Sequence, residues 1–205
     1  MTTPAPTPRR KDAIATRERL MRAALELFTT EGYRATTTQD IAGRARIAEA
    51  TIYRHFAGKE ALFNEVYRDA LRSGLTAFRP LEGERPPPAR DRLTRGARRL
   101  LDLAQKDPPA ALMLLRKPDG VSLDESTQQA ARDFRDGITQ IVASGKQEGT
   151  IRPGAADLWA TVWLVLLTFV VERVAAREWT PDHAGATGTL DAAWTAIAYR
   201  ASEPG

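Results

Sequence analysis

Cysteine is absent from the 205 residues, and histidine occurs only as His55 and His183. The first absence rules out disulfides and thiolate metal sites. The second leaves too few imidazoles for most zinc sites or for a histidine acid–base pair. A chain without cysteine suits a reducing compartment, and a cytoplasmic location is expected. No phosphate-cradling glycine loop, dinucleotide fingerprint, nucleophile elbow or metal-ligand cluster occurs, so the sequence points away from an enzyme and implies no cofactor. Long hydrophobic runs are missing as well. The most apolar stretch, Leu158 to Val171, has 14 residues without charge, short of the roughly 20 that a bilayer demands. It reads as a buried helix, so no membrane partner is expected. The opening MTTPAPTPRRK lacks the apolar centre of a secretory signal, and its prolines suggest a disordered basic arm over residues 1–10.

What is present is helical periodicity. Apolar residues make up 42% of the chain, enough to build a core, and they recur at three and four residues rather than two. The expected fold is therefore all-α, with about nine helices. The first spans Lys11 to Thr30 with a stripe of Ile14, Met21, Leu25 and Phe28, widened by Leu20, Ala24 and Leu27, and Gly32 ends it. A capping-box pattern, Thr37 with Asp40, opens a short second helix reaching Arg44. The joint Ala45-Arg46-Ile47-Ala48 leads to a short third helix, Glu49 to His55, and a fourth runs from Lys59 to Phe78. Arg79 to Pro88, with three consecutive prolines, breaks the pattern. Later helices are expected over Ala89–Gln105, as far as Leu115, over Ser126–Glu148, Ala155–Arg177 and Thr187–Ala201.

Charge is distributed unevenly. Residues 1–60 carry 11 Lys+Arg against 7 Asp+Glu, whereas residues 61–205 carry 19 of each. The excess sits in front, which suits a polyanionic partner there. Two short helices joined by a tight turn within this basic segment have the layout of a helix-turn-helix reader. In such a unit Ile41, Ala42, Ala45, Ile47 and Ile52 pack between the helices. The outer side then presents Glu49, Ala50, Thr51, Tyr53, Arg54 and His55, types able to meet base edges and phosphates.

The stretch TTQDIAGRARIAEATIYRHFAGKEALF, Thr37 to Phe63, resembles the DNA-binding signature of the TetR/AcrR family of transcriptional regulators, and the likeness covers roughly residues 11 to 65. It implies a helix-turn-helix domain over residues 11–58 and a ligand-binding and dimerisation domain over 59–205. Thr38 and Gln39 then begin the second helix at the DNA; Glu49, Ala50 and Thr51 face bases or backbone; Tyr53, His55 and Lys59 hold phosphates. Other roles stay open for several of them. Tyr53 also suits a core aromatic, His55 a bridge between helices, and Glu49 either cytosine N4 or the dipole of its own helix. Two positions depart from the family pattern. Arg46 stands where glycine is usual, at about 1 kcal/mol of left-handed strain, and either reaches a phosphate or remains in solvent. Ala48 stands where Ser or Thr usually caps the recognition helix, a loss of about 0.5–2 kcal/mol.

The resemblance implies a ligand-responsive regulator: a repressor that is a homodimer on double-stranded, palindromic operator DNA and is released by a largely apolar small molecule. A helical protein-interaction module and an activator of the same fold are the alternatives. Bundle cores are common ligand sites. The candidate lining is Leu112, Met113, Arg116, Phe134, Ile138, Trp159, Trp163 and Phe169, each of which also suits plain core packing, or for Arg116 a surface ion pair. Val162, Leu166, Val170, Trp194 and Ile197 are the candidate dimer seam.

Overall fold

The computed structural model describes residues 8–79, 86–115 and 118–199. Among them it holds nine α-helices and no strand. These are α1 Pro8–Thr30, α2 Thr38–Ala45, α3 Ile52–His55 preceded by a 3-10 turn Glu49–Thr51, α4 Lys59–Ala77, α5 Ala89–Lys106, α6 Pro108–Leu115, α7 Glu125–Gln147, α8 Ala156–Ala175 and α9 Ala184–Ile197. The one β-type pairing is an isolated bridge between Ile151 and Ala198. The chain divides into two compact units, a front one of residues up to Tyr67 together with 118–124, and a back one of the remainder; the division falls within α4.

Two expectations for the start of the chain need correction. α1 begins at Pro8, so residues 8–10 are helical, not part of a disordered arm; residues 1–7 lie outside the described part. Proline is well suited to the first helical position, where its missing N–H would have had no partner anyway. The expected inner stripe is also rotated. Ile14 is 46% exposed, and full burial begins at Leu20 and continues through Ala24, Leu27 and Phe28.

In the front unit those residues of α1 meet Ile41 and Ala42 of α2, Ile52 of α3 and Leu62 and Val66 of α4, all buried. Phe28, Tyr33 and Phe63 form a mutual aromatic cluster with centroids 5.2–5.8 Å apart, a spacing and tilt that add to simple area burial. Residues 118–124 belong to this unit through Asn64, a buried amide. Its Nδ2 donates to the carbonyls of Glu60 at 3.0 Å and Ser122 at 2.9 Å, and its Oδ1 accepts from the Asp124 N–H at 2.9 Å.

The back unit is a helical bundle. Leu93, Leu100 and Leu101 of α5, Phe134, Ile138 and Ile141 of α7, Trp163 and Leu167 of α8, and Ile197 of α9 fill its interior. Phe78, just past the end of α4, stacks edge-on against Phe134 at 6.3 Å and Trp163 at 5.9 Å. Glycine is required where that ring lands: a Cβ on Gly96 would come within 2.0 Å of Phe78 Cδ1.

α8 is longer than its uncharged stretch, because Asp157 lies in its first turn and Arg173 in its last. At 20 residues it is long and apolar enough, by length and composition, to cross a membrane, which corrects the expectation that the segment is too short. One side packs in the bundle through Trp163, Leu167, Val170 and Val174, while Leu158, Val165 and Phe169 are exposed. Core helices of water-soluble bundles pass the same length-and-composition test.

Candidate nucleic-acid interface

The reader is built by caps at both ends of α2. At its start Thr37 and Asp40 form a reciprocal capping box. The Asp40 N–H donates to Thr37 Oγ1 at 3.1 Å, and the Thr37 N–H donates to the Asp40 carboxylate at 2.9 Å. The Thr37 hydroxyl and backbone N–H hold the Asp40 carboxyl below its usual value, since both bonds favour the ionised form. At the other end Arg46 takes a left-handed conformation, φ 55 and ψ 52, and closes the helix. This is the turn the sequence indicated, with arginine carrying the conformation glycine adopts at little cost.

α1 fixes that turn. The Arg19 guanidinium donates to the carbonyls of Ala45 and of Arg46, the latter at 2.9 Å. Arg44 pairs with Glu26 at 3.0 Å, and Glu26 also holds Arg22. Arg19 was not anticipated from the sequence; the only signal was a long cation immediately before the buried stripe that begins at Leu20. Beyond the turn, Ala48 precedes the 3-10 turn without any side-chain hydrogen bond, so the first N–H groups of the next element have no protein cap, as the alanine implies.

The helical pair is polarised. Ile41, Ala42, Ala45, Ile52 and Phe56 are buried, and Ile47, expected with them, is only half-buried. On the outer side Gln39, Arg46, Glu49, Ala50 and Arg54 are exposed, Thr38, Thr51 and His55 partly so. Tyr53 is 60% exposed, which removes the core-aromatic alternative. Thr38 and Glu49 meet: the Thr38 hydroxyl donates to the Glu49 carboxylate at 2.6 Å, linking the start of α2 to the start of the 3-10 turn. Glu49 thus has a protein partner in addition to its own helix end.

Lys59 is positioned differently from the sequence expectation. Its ammonium donates to the carbonyls of Tyr33 and Thr36, both at 2.9 Å, and lies 4.2 Å from the Tyr33 ring centroid. Two of its three N–H bonds therefore serve the loop between α1 and α2, and a phosphate could take at most the third. These carbonyls give the cation at the first residue of α4 partners within its own chain.

The candidate ligand residues do not line one cavity. Met113, Phe134, Ile138 and Trp163 are buried in the bundle, Leu112 and Trp159 are half-buried, and Arg116 lies outside the described residues. Trp159 instead donates its indole N–H to the Pro153 carbonyl at 3.1 Å. Of the eight, Phe169 alone borders a surface groove of about 920 Å³ between α7 and α8, with Leu115, Arg135, Thr139, Leu164 and Val165. Among the seam candidates Val162, Leu166 and Trp194 are partly exposed. Val170 and Ile197 are 0% exposed, so both are corrected to core positions, where their own bundle covers them.

Comparison with known proteins bears on the same segment. Residues 20–66 match the family described as bacterial regulatory proteins, tetR family. The HTH-type transcriptional regulator YvkB of Bacillus subtilis (strain 168) is 49% identical over 47 residues, 23% of this chain and 25% of that protein. The HTH-type transcriptional repressor KstR2 of Rhodococcus jostii (strain RHA1) is 34% identical over 91 residues, 39% of this chain and 45% of that protein. The chain thus spans less than half the length of these relatives. Solved structures extend the likeness of fold. A TetR family transcription regulator from Marinobacter aquaeolei VT8 superposes with a TM-score of 0.74 at 21% identity, covering 93% of this chain and 100% of that one. SmeT, the repressor of the Stenotrophomonas maltophilia multidrug efflux pump SmeDEF, gives 0.67 at 19% identity over 92% and 93%. Residues 20–66 are thus similar to the tetR family of bacterial regulatory proteins, and the chain as a whole takes the fold of solved structures described as TetR-family regulators.

Proposed function

We propose that this chain is a cytoplasmic transcriptional regulator, and not an enzyme: a homodimer that represses by holding palindromic operator DNA and leaves it when a small molecule binds the back domain. The reading rests on one observation, the polarised helical pair whose buried side is Ile41, Ala42, Ala45 and Ile52 and whose polar side is open to solvent. An exposed edge of Gln39, Ala50, Thr51, Tyr53 and Arg54 has the shape and chemistry of a major-groove reader. Gln39 and Thr51 suit base edges, and Tyr53, Arg54, His55 and Arg46 suit phosphates. Thr38 and Glu49 hold each other, so they act first on the spacing of the two elements.

A single short helix makes few base contacts, and a two-fold pair reads two half-sites about 34–36 Å or a multiple apart. The uncovered side of α8, Leu158, Val162, Val165, Leu166 and Phe169, with Trp194 of α9, is the apolar surface we assign to the second copy. Release by an effector requires only that it bind one spacing of the readers better than the other.

Selection of bound duplexes from a random pool, followed by affinity measurements across a salt series, tests the proposal. Tyr53→Ala and Arg54→Ala are expected to weaken binding on every sequence and to lower the slope of log K against log salt by up to about 0.9 per phosphate lost. Thr51→Ala or Gln39→Ala is expected to change the preferred base. A protein indifferent to every duplex at low salt refutes the assignment.

A further inference from the structure

α5 carries Arg92, Arg95 and Arg99 at spacings of three and four, which puts them along one side of the helix. Arg79 lies just past the end of α4. Several other arginines of the back unit have partners: Arg98 pairs with Asp102 and Asp182, Arg173 with Glu178 although its Nε too is buried without an acceptor, and Arg90 lies over the Trp194 ring. Among the described residues, none of Arg79, Arg92, Arg95 and Arg99 has a carboxylate partner. Arg99 is committed to the carbonyls of Ala77 and Arg79, at 2.8 and 3.5 Å. Arg92 reaches only the Ser144 hydroxyl, at 3.4 Å, and its Nε is buried with no acceptor. Arg92 is half-buried, and of the five N–H donors of its guanidinium the Ser144 hydroxyl takes one; the donors left over favour an anion beside them.

The space beside it is shaped. A groove of about 320 Å³ is lined by Leu75, Phe78, Arg79, Arg92, Gly137 and Ile141, with Asp133, Asp136 and Gln140 completing its wall. A smaller recess shares Phe78, Arg79 and Arg92 and adds Arg95 and Arg99. The floor is apolar: Phe78 and Ile141 are buried, and Gly137 is in close contact with Leu75, whose Cδ1 lies 2.5 Å from where a Cβ would stand. Arginines thus mark the border between the two recesses, and Asp133 and Asp136 on the wall repel an anion, which leaves the Arg79–Arg92 end as the place for one. The Nη groups of a guanidinium meet the oxygens of a carboxylate with paired, charge-assisted hydrogen bonds. The volume is at the lower end of the range for small-molecule pockets.

We propose that this α4–α5–α7 groove is a binding site for an apolar monocarboxylate, its carboxylate on Arg92 and Arg79 and its body over Phe78, Leu75 and Ile141. Its role as the effector site rests on the regulator reading above; the binding itself does not. The test titrates 2-naphthoate and octanoate, with the neutral alcohols 2-naphthalenemethanol and octanol beside them, into the full chain. Calorimetry and the arginine Nε–H NMR signals are the readouts. A carboxylate is expected to bind saturably and shift the Arg92 Nε–H resonance. Arg92→Gln is expected to weaken it about tenfold and leave the alcohol within about twofold. Arg79→Gln, at an exposed position, keeps the test valid if the first variant unfolds, and is expected to weaken the carboxylate several-fold. No saturable carboxylate binding, or equal losses for acid and alcohol, overturns the site. Carboxylate binding that leaves operator affinity unchanged overturns the effector role. A protein that binds the carboxylate but no duplex keeps the site and rejects the regulator reading instead.

Discussion

Replacing Lys59 by methionine separates a structural from a DNA-contacting role for this residue. Methionine keeps the apolar stem and removes the charge. Two hydrogen bonds at 2.9 Å to the Tyr33 and Thr36 carbonyls disappear, together with a cation 4.2 Å from the Tyr33 ring centroid. Hydrogen bonds from charged groups contribute about 1.5–3 kcal/mol each when buried. The lower end applies here, since Lys59 is half-exposed and the Tyr33 carbonyl can recruit water. The ring adds about 0.5–1 kcal/mol. Removing a cation from the first turn of α4 returns about 0.3–1 kcal/mol by relieving its conflict with the helix dipole. The net expectation is a loss of about 2.5–3.7 kcal/mol of stability for the front unit. Urea unfolding of the full chain followed by circular dichroism, compared with wild type and Lys59→Arg, reads this as a lower midpoint. An unchanged midpoint, accompanied by a fall of about 0.9 in the salt slope of duplex binding, would show that Lys59 serves a phosphate and that the carbonyl contacts contribute nothing.

Three further outcomes follow from the turn, the cap and the bundle. Ala48→Ser supplies the missing N-cap and is expected to raise stability by about 0.5–2 kcal/mol, and Arg46→Gly by about 1 kcal/mol through relief of the left-handed arginine; unfolding midpoints check both, and a fall for either contradicts the turn geometry. The depressed carboxyl of Asp40 contributes stability that is present above the ordinary carboxylate value and is lost as pH falls through its lower folded value. Protection factors of the α2 amides, taken relative to intrinsic exchange at each pH, are therefore expected to fall on acidification in the wild type, and Asp40→Asn to remove that pH dependence. Gly96→Ala would press its Cβ into the Phe78 ring, an overpacking expected to cost about 1–3 kcal/mol; thermal unfolding reads it, and an unaffected melting temperature would show that the ring moves freely.

Much of the front unit was legible because its signals are local. Thr37 and Asp40 capping α2, a left-handed Arg46, the uncapped Ala48 and the buried Ile41, Ala42 and Ile52 each follow from residue type and spacing within a few positions. What escaped reading is the set of contacts made across the sequence. Arg19 reaches residues 26 and 27 positions away, Lys59 carbonyls 23 and 26 away, and Asn64 a loop about 60 away. In sequence a lysine that holds two carbonyls is indistinguishable from one that holds a phosphate. Only the folded path of the α1–α2 loop tells them apart.

The back unit was harder for a different reason. α5 has a charged side and an apolar side, so Leu93, Ala97, Leu100 and Leu101 point inward as their spacing requires. α8 has no polar face over most of its length, and a pattern that is apolar all round is unchanged by rotation about the helix axis. Nothing local chooses between Val170 and Phe169 for the surface; a step of about 100° per residue separates core from seam, and packing against α5, α7 and α9 decides it. Val170 became core and Phe169 became surface. The same holds for the ligand candidates, whose apolarity mostly places them in the interior, whereas nothing in the sequence distinguishes Arg92, bonded to Ser144 and without a carboxylate partner, from the other arginines of its helix. In a bundle, apolar residues identify the core, and it is a polar group left without a partner inside it that marks where something else is meant to bind.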